Sequence, residues 1–318
     1  MSSPLAEPPE INALLARVQP ALLSSAWWAE WQTAGSGTQR ATLLQNLSET
    51  IRKSDLALSQ QLSELALEEV FQDDEREKHA EQADLVTIQA LNTLAWVRAN
   101  LNDYAYSLEY CDKAFNLATQ RGLQDWQCRL LNTRALPRFW LGDEMGARAD
   151  LQEALELAEL RGDVKQLLMC YINIAWLEIL SEELESAEHH LNLLAEQLHM
   201  TDDAQLRQNH IFYLYENRLH VKLLQAREAE RLGRDQAMQD ALSAAQTHLD
   251  WCLTNTHFCS DKPPFEMVIR AHQAQFFMLS GEPALAVQYG EAAIEFGTHS
   301  DTWVSAYAHF CLAEAYSM

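Results

Sequence analysis

Cys252, His257 and Cys259 form a Cys-x4-His-x-Cys cluster just ahead of Pro263-Pro264. Thiolate and imidazole are zinc ligands, and a closed zinc site takes four of them. No fourth ligand is evident at a zinc-site spacing, although Asp250 or Asp261 could serve. The reading is therefore no metal and no cofactor. Glu188, His189 and His190 are adjacent, with His199 nearby. Side-by-side residues on a helix point in different directions and chelate poorly, and Glu183 is two turns from His190, so these read as surface histidines. The chain carries no phosphate-binding glycine loop, no nucleophile elbow and no HExxH. Carboxylates are so abundant that none stands out as an acid/base pair. The residues point to recognition rather than catalysis, and the segment is read as a non-enzyme.

The elements that would position such residues repeat. Leu91-Asn92-Thr93-Leu94-Ala95-Trp96 is followed by Leu131-Asn132-Thr133-Arg134-Ala135-Leu136 and then by Tyr171-Ile172-Asn173-Ile174-Ala175-Trp176. The central alanines lie 40 residues apart. After each comes a turn, Asn102-Asp103, Gly142-Asp143 or Glu182-Glu183, and then Ala114, Ala154 or Ala195. A fixed period of this size signals stacked structural repeats.

The 318 residues contain 10 glycines and 8 prolines and are rich in Leu, Ala, Glu and Gln, which favour helices. Alternating Val, Ile and Thr runs that would argue for strands are missing. The class is all-α. With 23 Lys plus Arg against 46 Asp plus Glu, the formal net charge is −23. Such a chain repels phosphate backbones, so nucleic acid is excluded as a partner. The charge serves solubility or attraction for a basic partner. The six cysteines form no CxxC pair, and no apolar run reaches the roughly 18 residues that span a bilayer. The expectation is a reduced, cytoplasmic protein with no membrane partner.

Residues 1–10 are polar, with three prolines, and read as a tail. Helical patterning starts near Ile11 and includes Trp27, Trp28 and Trp31, a cluster suited to capping a core or to docking. The stretch Thr33 to Thr38 is a loop by composition, and 72–81 is a charged connector. Helix pairs are expected at 40–52 with 55–70, 83–101 with 104–120, 124–141 with 144–160, and 164–181 with 184–199. A longer pair at 204–232 with 235–254 follows, then 265–280 with 283–297. Arg121-Gly122 and Arg161-Gly162 fit left-handed C-caps, and Pro137 should kink or shorten its helix. Residues 302–318 read as the first helix of a further pair. It is either a capping helix or the point where a longer protein is cut. The domains are taken as 1–39, a tail and capping helix with the Trp cluster, and 40–318, the repeats.

The pattern resembles tetratricopeptide repeats, in particular the long-repeat class found in bacterial signalling and regulatory proteins. Leu94-Ala95, Asn102-Asp103-Tyr104, Ser107 and Ala114 carry the resemblance, as do Ala135, Gly142-Asp143, Ala147 and Ala154. Ala175, Ala187 and Leu194 extend it, and Ala274, Gly281-Glu282, Ala286 and Ala293 repeat it. Departures include Leu47 in the place of an alanine and the lack of the usual proline after the second helix. The resemblance implies a right-handed α-α superhelix of about six helix pairs plus a last helix. It also implies that first helices line a concave groove receiving a protein or peptide segment.

Carried over by position, the groove residues are Gln89, Asn92, Trp96 and Asn100, then Arg129, Asn132, Phe139 and Trp140, then Met169, Asn173 and Trp176. His220, Arg227 and Gln275 follow in later units. An Asn amide both donates and accepts, as a peptide backbone requires, or else bonds a neighbouring helix. Trp96 and Trp176 are groove walls or packing residues. Arg129, Arg134 and Arg138 lie on one helix but do not complete a clamp for a C-terminal carboxylate. The implied function is a protein- or peptide-binding module, the sensory or regulatory input of a bacterial signalling protein, for example ahead of a GGDEF diguanylate cyclase. The alternatives are a stand-alone adaptor, a homodimer, or a small-molecule sensor with a pocket walled by Trp96, Trp140 and Trp176.

Overall fold

Small residues at fixed registers let two antiparallel helices approach closely, and that decides the architecture. In a computed structural model, residues 9–256, 262–296 and 302–317 are described. Among them every regular element is a helix, and no strand occurs. The chain divides into two compact units, one of Met1–Ala99 with Asp103–Pro137, the other of Asn100–Asn102 with Arg138–Met318.

The first unit holds α1 (Pro9–Leu15), α2 (Ser25–Thr33), α3 (Gly37–Ile51), α4 (Leu56–Phe71), a 3₁₀ turn at Arg76–His79, α5 (Ala80–Asn100), α6 (Tyr104–Gln120) and most of α7 (Gln124–Trp140). Ala95 and Ala114 are wholly buried in the α5 and α6 repeat. The buried Ser107 hydroxyl ties that pair by donating to the Ala95 carbonyl at 2.8 Å. Trp31 is buried in the core of this unit, and Trp27 stacks on it at 5.3 Å between ring centroids. The charged connector at 72–81 holds the 3₁₀ turn and the start of α5, and within it Asp73 accepts from the amide and hydroxyl of Thr38 at the N-terminal end of α3.

The second unit holds α8 (Glu144–Arg161), α9 (Val164–Leu180), α10 (Leu184–Met200), α11 (Ala204–Arg231), α12 (Asp235–Thr254), α13 (Lys262–Leu279), α14 (Pro283–Phe296) and α15 (Thr302–Ser317). Ala147, Ala154, Ala175, Ala187, Ala274, Ala286 and Ala293 are all fully buried. Leu194, not Ala195, keeps the 40-residue register, being fully buried while Ala195 is half-buried. The last helix, α15, packs on α13 and α14 through Ala308, Cys311 and Ala315.

Pro137 does not shorten its helix. The helix α7 runs 17 residues, as α9 does. A proline this close to the C-terminal end sacrifices one late hydrogen bond only. The C-cap expectation holds at Gly122 and Gly162, with φ of 65° and 63°. The three equivalent interhelix turns place Asn102, Gly142 and Glu182 at φ of 58°, 86° and 59°. A glutamate there bears left-handed strain that glycine avoids. Glu182→Gly should therefore raise stability by up to about 1 kcal/mol in denaturant unfolding, and Gly142→Ala should lower it by a similar amount. Equal signs for the two substitutions would contradict this account of the turn.

Candidate functional site

The residue two places before each repeat's landmark position (Leu47, Ala95, Ala135, Ala175 or Ala274) is polar. In the first unit this register holds Gln45, Thr93 and Thr133, before Leu47, Ala95 and Ala135. Gln45 and Thr93 are fully buried, so their polar atoms must be satisfied inside the protein. Gln45 Nε2 donates to Thr93 Oγ1 at 2.8 Å, and Thr93 donates to Glu49 at 2.6 Å. The Thr133 hydroxyl lies 3.0 Å from Asn92 Oδ1 and 3.1 Å from its own helix's Arg129 carbonyl. Polar rungs thus cross from one first helix to the next.

These rungs account for part of the expected groove. Asn92 is buried against Thr133, and Asn132, also buried, donates back to the Cys128 carbonyl at 3.3 Å. Gln89, Trp96 and Arg129 are half-buried. They share helix faces with the asparagines, three or four residues away. The Arg52 guanidinium covers the Trp96 ring at 5.1 Å, and that of Arg129 covers Trp126 at 4.8 Å. Arg129 Nε is buried with no hydrogen-bond partner. Arg134 is bound to Asp112 at 2.9 Å and lies over Phe115.

In the second unit Asn100, Phe139, Asn173 and Trp176 are half-buried, and Trp140 is 43% exposed. Phe139 and Trp140 meet edge to face at 5.4 Å. Asn173 falls in the register of Thr93 and Thr133, and Ile172 takes the place of Asn92 and Asn132. Arg138 pairs with the buried Asp150 at 3.3 Å. Arg227 pairs with Glu314 and lies over the Phe310 ring at 5.4 Å.

A buried polar cluster of this unit joins α11, α13 and α15. Glu216 and His220, one turn apart on α11, are buried, as is His272 of α13. His272 Nε2 lies 3.0 Å from Glu216 Oε1, and its Nδ1 lies 2.9 Å from the Tyr307 hydroxyl. Tyr307 donates to Gln275 Oε1 at 2.6 Å. The His220 ring lies 4.9 Å from that of His272, 5.5 Å from that of Tyr307 and 5.8 Å from that of Trp176. Its Nδ1 is buried and makes no hydrogen bond. Burial pushes the Glu216 carboxyl up to about 7 and holds both His220 and His272 down to about 3. Both imidazoles are therefore neutral near pH 7. One ligand atom from each of Glu216, His220 and His272 lies within 4.8 Å of the others. The sequence placed His220 and Gln275 on a groove, but both are buried in this centre. Glu216, His272 and Tyr307 were missed. The signal was present: His272 sits two before Ala274, in the rung register, and Glu216 precedes His220 by four.

Two further expectations change. His190 is not a simple surface histidine. Its Nδ1 lies 2.8 Å from Oε2 of the buried Glu178 on α9, so it belongs to the α9/α10 packing. Of the Cys-x4-His-x-Cys cluster, Cys252 is buried in the core around Phe212 and Leu249, while His257, Cys259 and Asp261 lie outside the described residues. No helix among the described residues is long and apolar enough to cross a membrane.

No family model matches the sequence, and no curated protein matches it. Among solved structures, the chain is similar to a tetratricopeptide repeat protein from Parabacteroides merdae ATCC 43184, with a TM-score of 0.50 and 14% identity over 93% of this chain and 98% of that one. The fold is tetratricopeptide-like. At that identity the likeness extends to the fold, and the tetratricopeptide-like helix pair gives a frame for the rungs.

The hydrogen bond to Glu178 raises the pKa of His190. A raised histidine contributes stability fully below its unfolded value of about 6.5 and loses it as pH rises through the folded value. His190→Gln should therefore destabilise by about 1 kcal/mol near pH 5.5 and by less near pH 8.5, measured by denaturant unfolding. A gap that does not shrink with rising pH would refute the assignment.

Proposed function

We propose that this chain is a protein- or peptide-binding module, and that its first-helix face in the first unit takes a segment of a partner. The observation that supports this most is the division of labour on that face. The rung residues Gln45, Thr93 and Asn92 are buried and bonded to one another's helices, whereas Gln89, Trp96 and Arg129 stay partly open to solvent. Trp96 is held under the Arg52 guanidinium, an arrangement that limits its rotamers before any partner arrives. Tryptophan and arginine dominate the energetics of most protein interfaces. A net charge of −23 favours a partner segment carrying positive charge. Phe139, Trp140, Asn173 and Trp176, with Asn100, supply the corresponding surface of the second unit.

In this reading the chain is non-catalytic and cytoplasmic, and it serves as the sensory or regulatory input of a bacterial signalling protein, for example one with a GGDEF output domain. The 40-residue period, which resembles the long-repeat class of such proteins, supports that reading.

A random peptide library selected against the full chain tests the binding face. Selected peptides should carry Lys or Arg and bind more weakly as salt rises. Trp96→Ala and Arg129→Ala should each weaken binding about tenfold or more with the helical circular dichroism unchanged. Peptides indifferent to both substitutions would place recognition elsewhere.

A further inference from the structure

The Glu216–His272 contact, like the Asn92–Thr133 rung, joins two successive first helices at 3.0 Å. A neutral Asn–Thr pair suffices for such a rung. Here it is replaced by a carboxyl and an imidazole, with a second imidazole beside them.

The hydrogen bonds fix which nitrogen of His272 is free. Tyr307 has one hydroxyl proton and gives it to Gln275 Oε1, so its oxygen accepts from His272 Nδ1–H. His272 Nε2 then presents a lone pair to Glu216 Oε1 at 3.0 Å. Two acceptors at that distance require a cation between them, either a proton on the carboxyl or a metal ion. His220 brings a third donor, and its buried Nδ1 has no hydrogen bond to lose. A histidine ligand whose other ring nitrogen donates to a fixed partner is the usual arrangement around a bound metal. Two imidazoles and one carboxylate form a ligand set for first-row divalent transition metals, zinc among them.

We infer that Glu216, His220 and His272 form a binding site for a divalent transition-metal ion that ties α11 to α13, with Tyr307 and Gln275 orienting His272. The ion displaces the proton shared by Glu216 and His272 and takes a ring nitrogen of His220 as its third ligand. Ligand atoms on one zinc ion, each about 2.0–2.2 Å from it, stand within roughly 4 Å of one another. The three ligand atoms, all within 4.8 Å of one another, are close to that size. Burial keeps both imidazoles neutral, which is the ligating form. This inference is independent of the peptide-binding face.

The test uses the full chain stripped with a chelator and titrated with Co²⁺, read by visible ligand-field absorption and by competition with Zn²⁺. One Co²⁺ per chain should bind, be displaced by Zn²⁺, and raise the thermal unfolding midpoint. His220→Phe removes a ligand whose Nδ1 makes no hydrogen bond, so the metal-free variant should stay folded while binding weakens more than about tenfold. Glu216→Gln keeps a donor for His272 Nε2 and should weaken binding similarly. A His189→Gln, His199→Gln double variant should bind as the parent does. No Co²⁺ spectrum in the parent, or a spectrum that survives both His220→Phe and Glu216→Gln, would mean an adventitious surface ion only and would overturn the assignment.

Discussion

Repeats in this protein bring two helices together at a small side chain, and on some first helices the polar residue two places upstream, Thr93 or His272, is buried with it. Ala95, Ala154, Ala175 and Ala274 leave no room for solvent. A buried hydroxyl, amide or imidazole without a partner would cost roughly 1–3 kcal/mol, comparable to a good fraction of a domain's net stability. The partner is found on the adjacent first helix. Gln45 with Thr93, Thr133 with Asn92 and His272 with Glu216 are three chemical versions of one constraint. The rungs tie successive first helices together, and they leave Trp96 and Arg129 half-buried on the same helices.

Much of this was legible in the sequence because it is local. The helix pairs follow from the alanine period and the turn residues, both of which act over a few residues. The left-handed turn positions could be read from Gly142 and carried to Asn102 and Glu182 by the 40-residue spacing. Helical periodicity alone could not give the partners of the polar residues. Asn92 and Thr133 are 41 residues apart, and Glu216 and His272 are 56 apart. The long α11 breaks the regular period before the second of these pairs, so register could not be carried across it. His190 was misjudged for the same reason: its partner Glu178 lies on the preceding helix, twelve residues back, and not on its own.

The ionisable rung sets the second unit apart from the first. In the first unit the pairs Gln45–Thr93 and Asn92–Thr133 are neutral, although Thr93 also donates to Glu49. At Glu216, His220 and His272 the constraint is met by groups whose charge burial suppresses. Such a centre is sensitive to any cation that can replace a proton, and it lies where α11, α13 and α15 meet. The unit's packing and the chemistry of that centre are therefore one structural feature.

The central claim, that rungs between first helices are energetic links and not incidental contacts, is tested most directly by a double-mutant cycle on Asn92→Ala and Thr133→Val. The account predicts a coupling free energy of about 1 kcal/mol between the two substitutions in denaturant unfolding. Strict additivity of the two substitutions would contradict it.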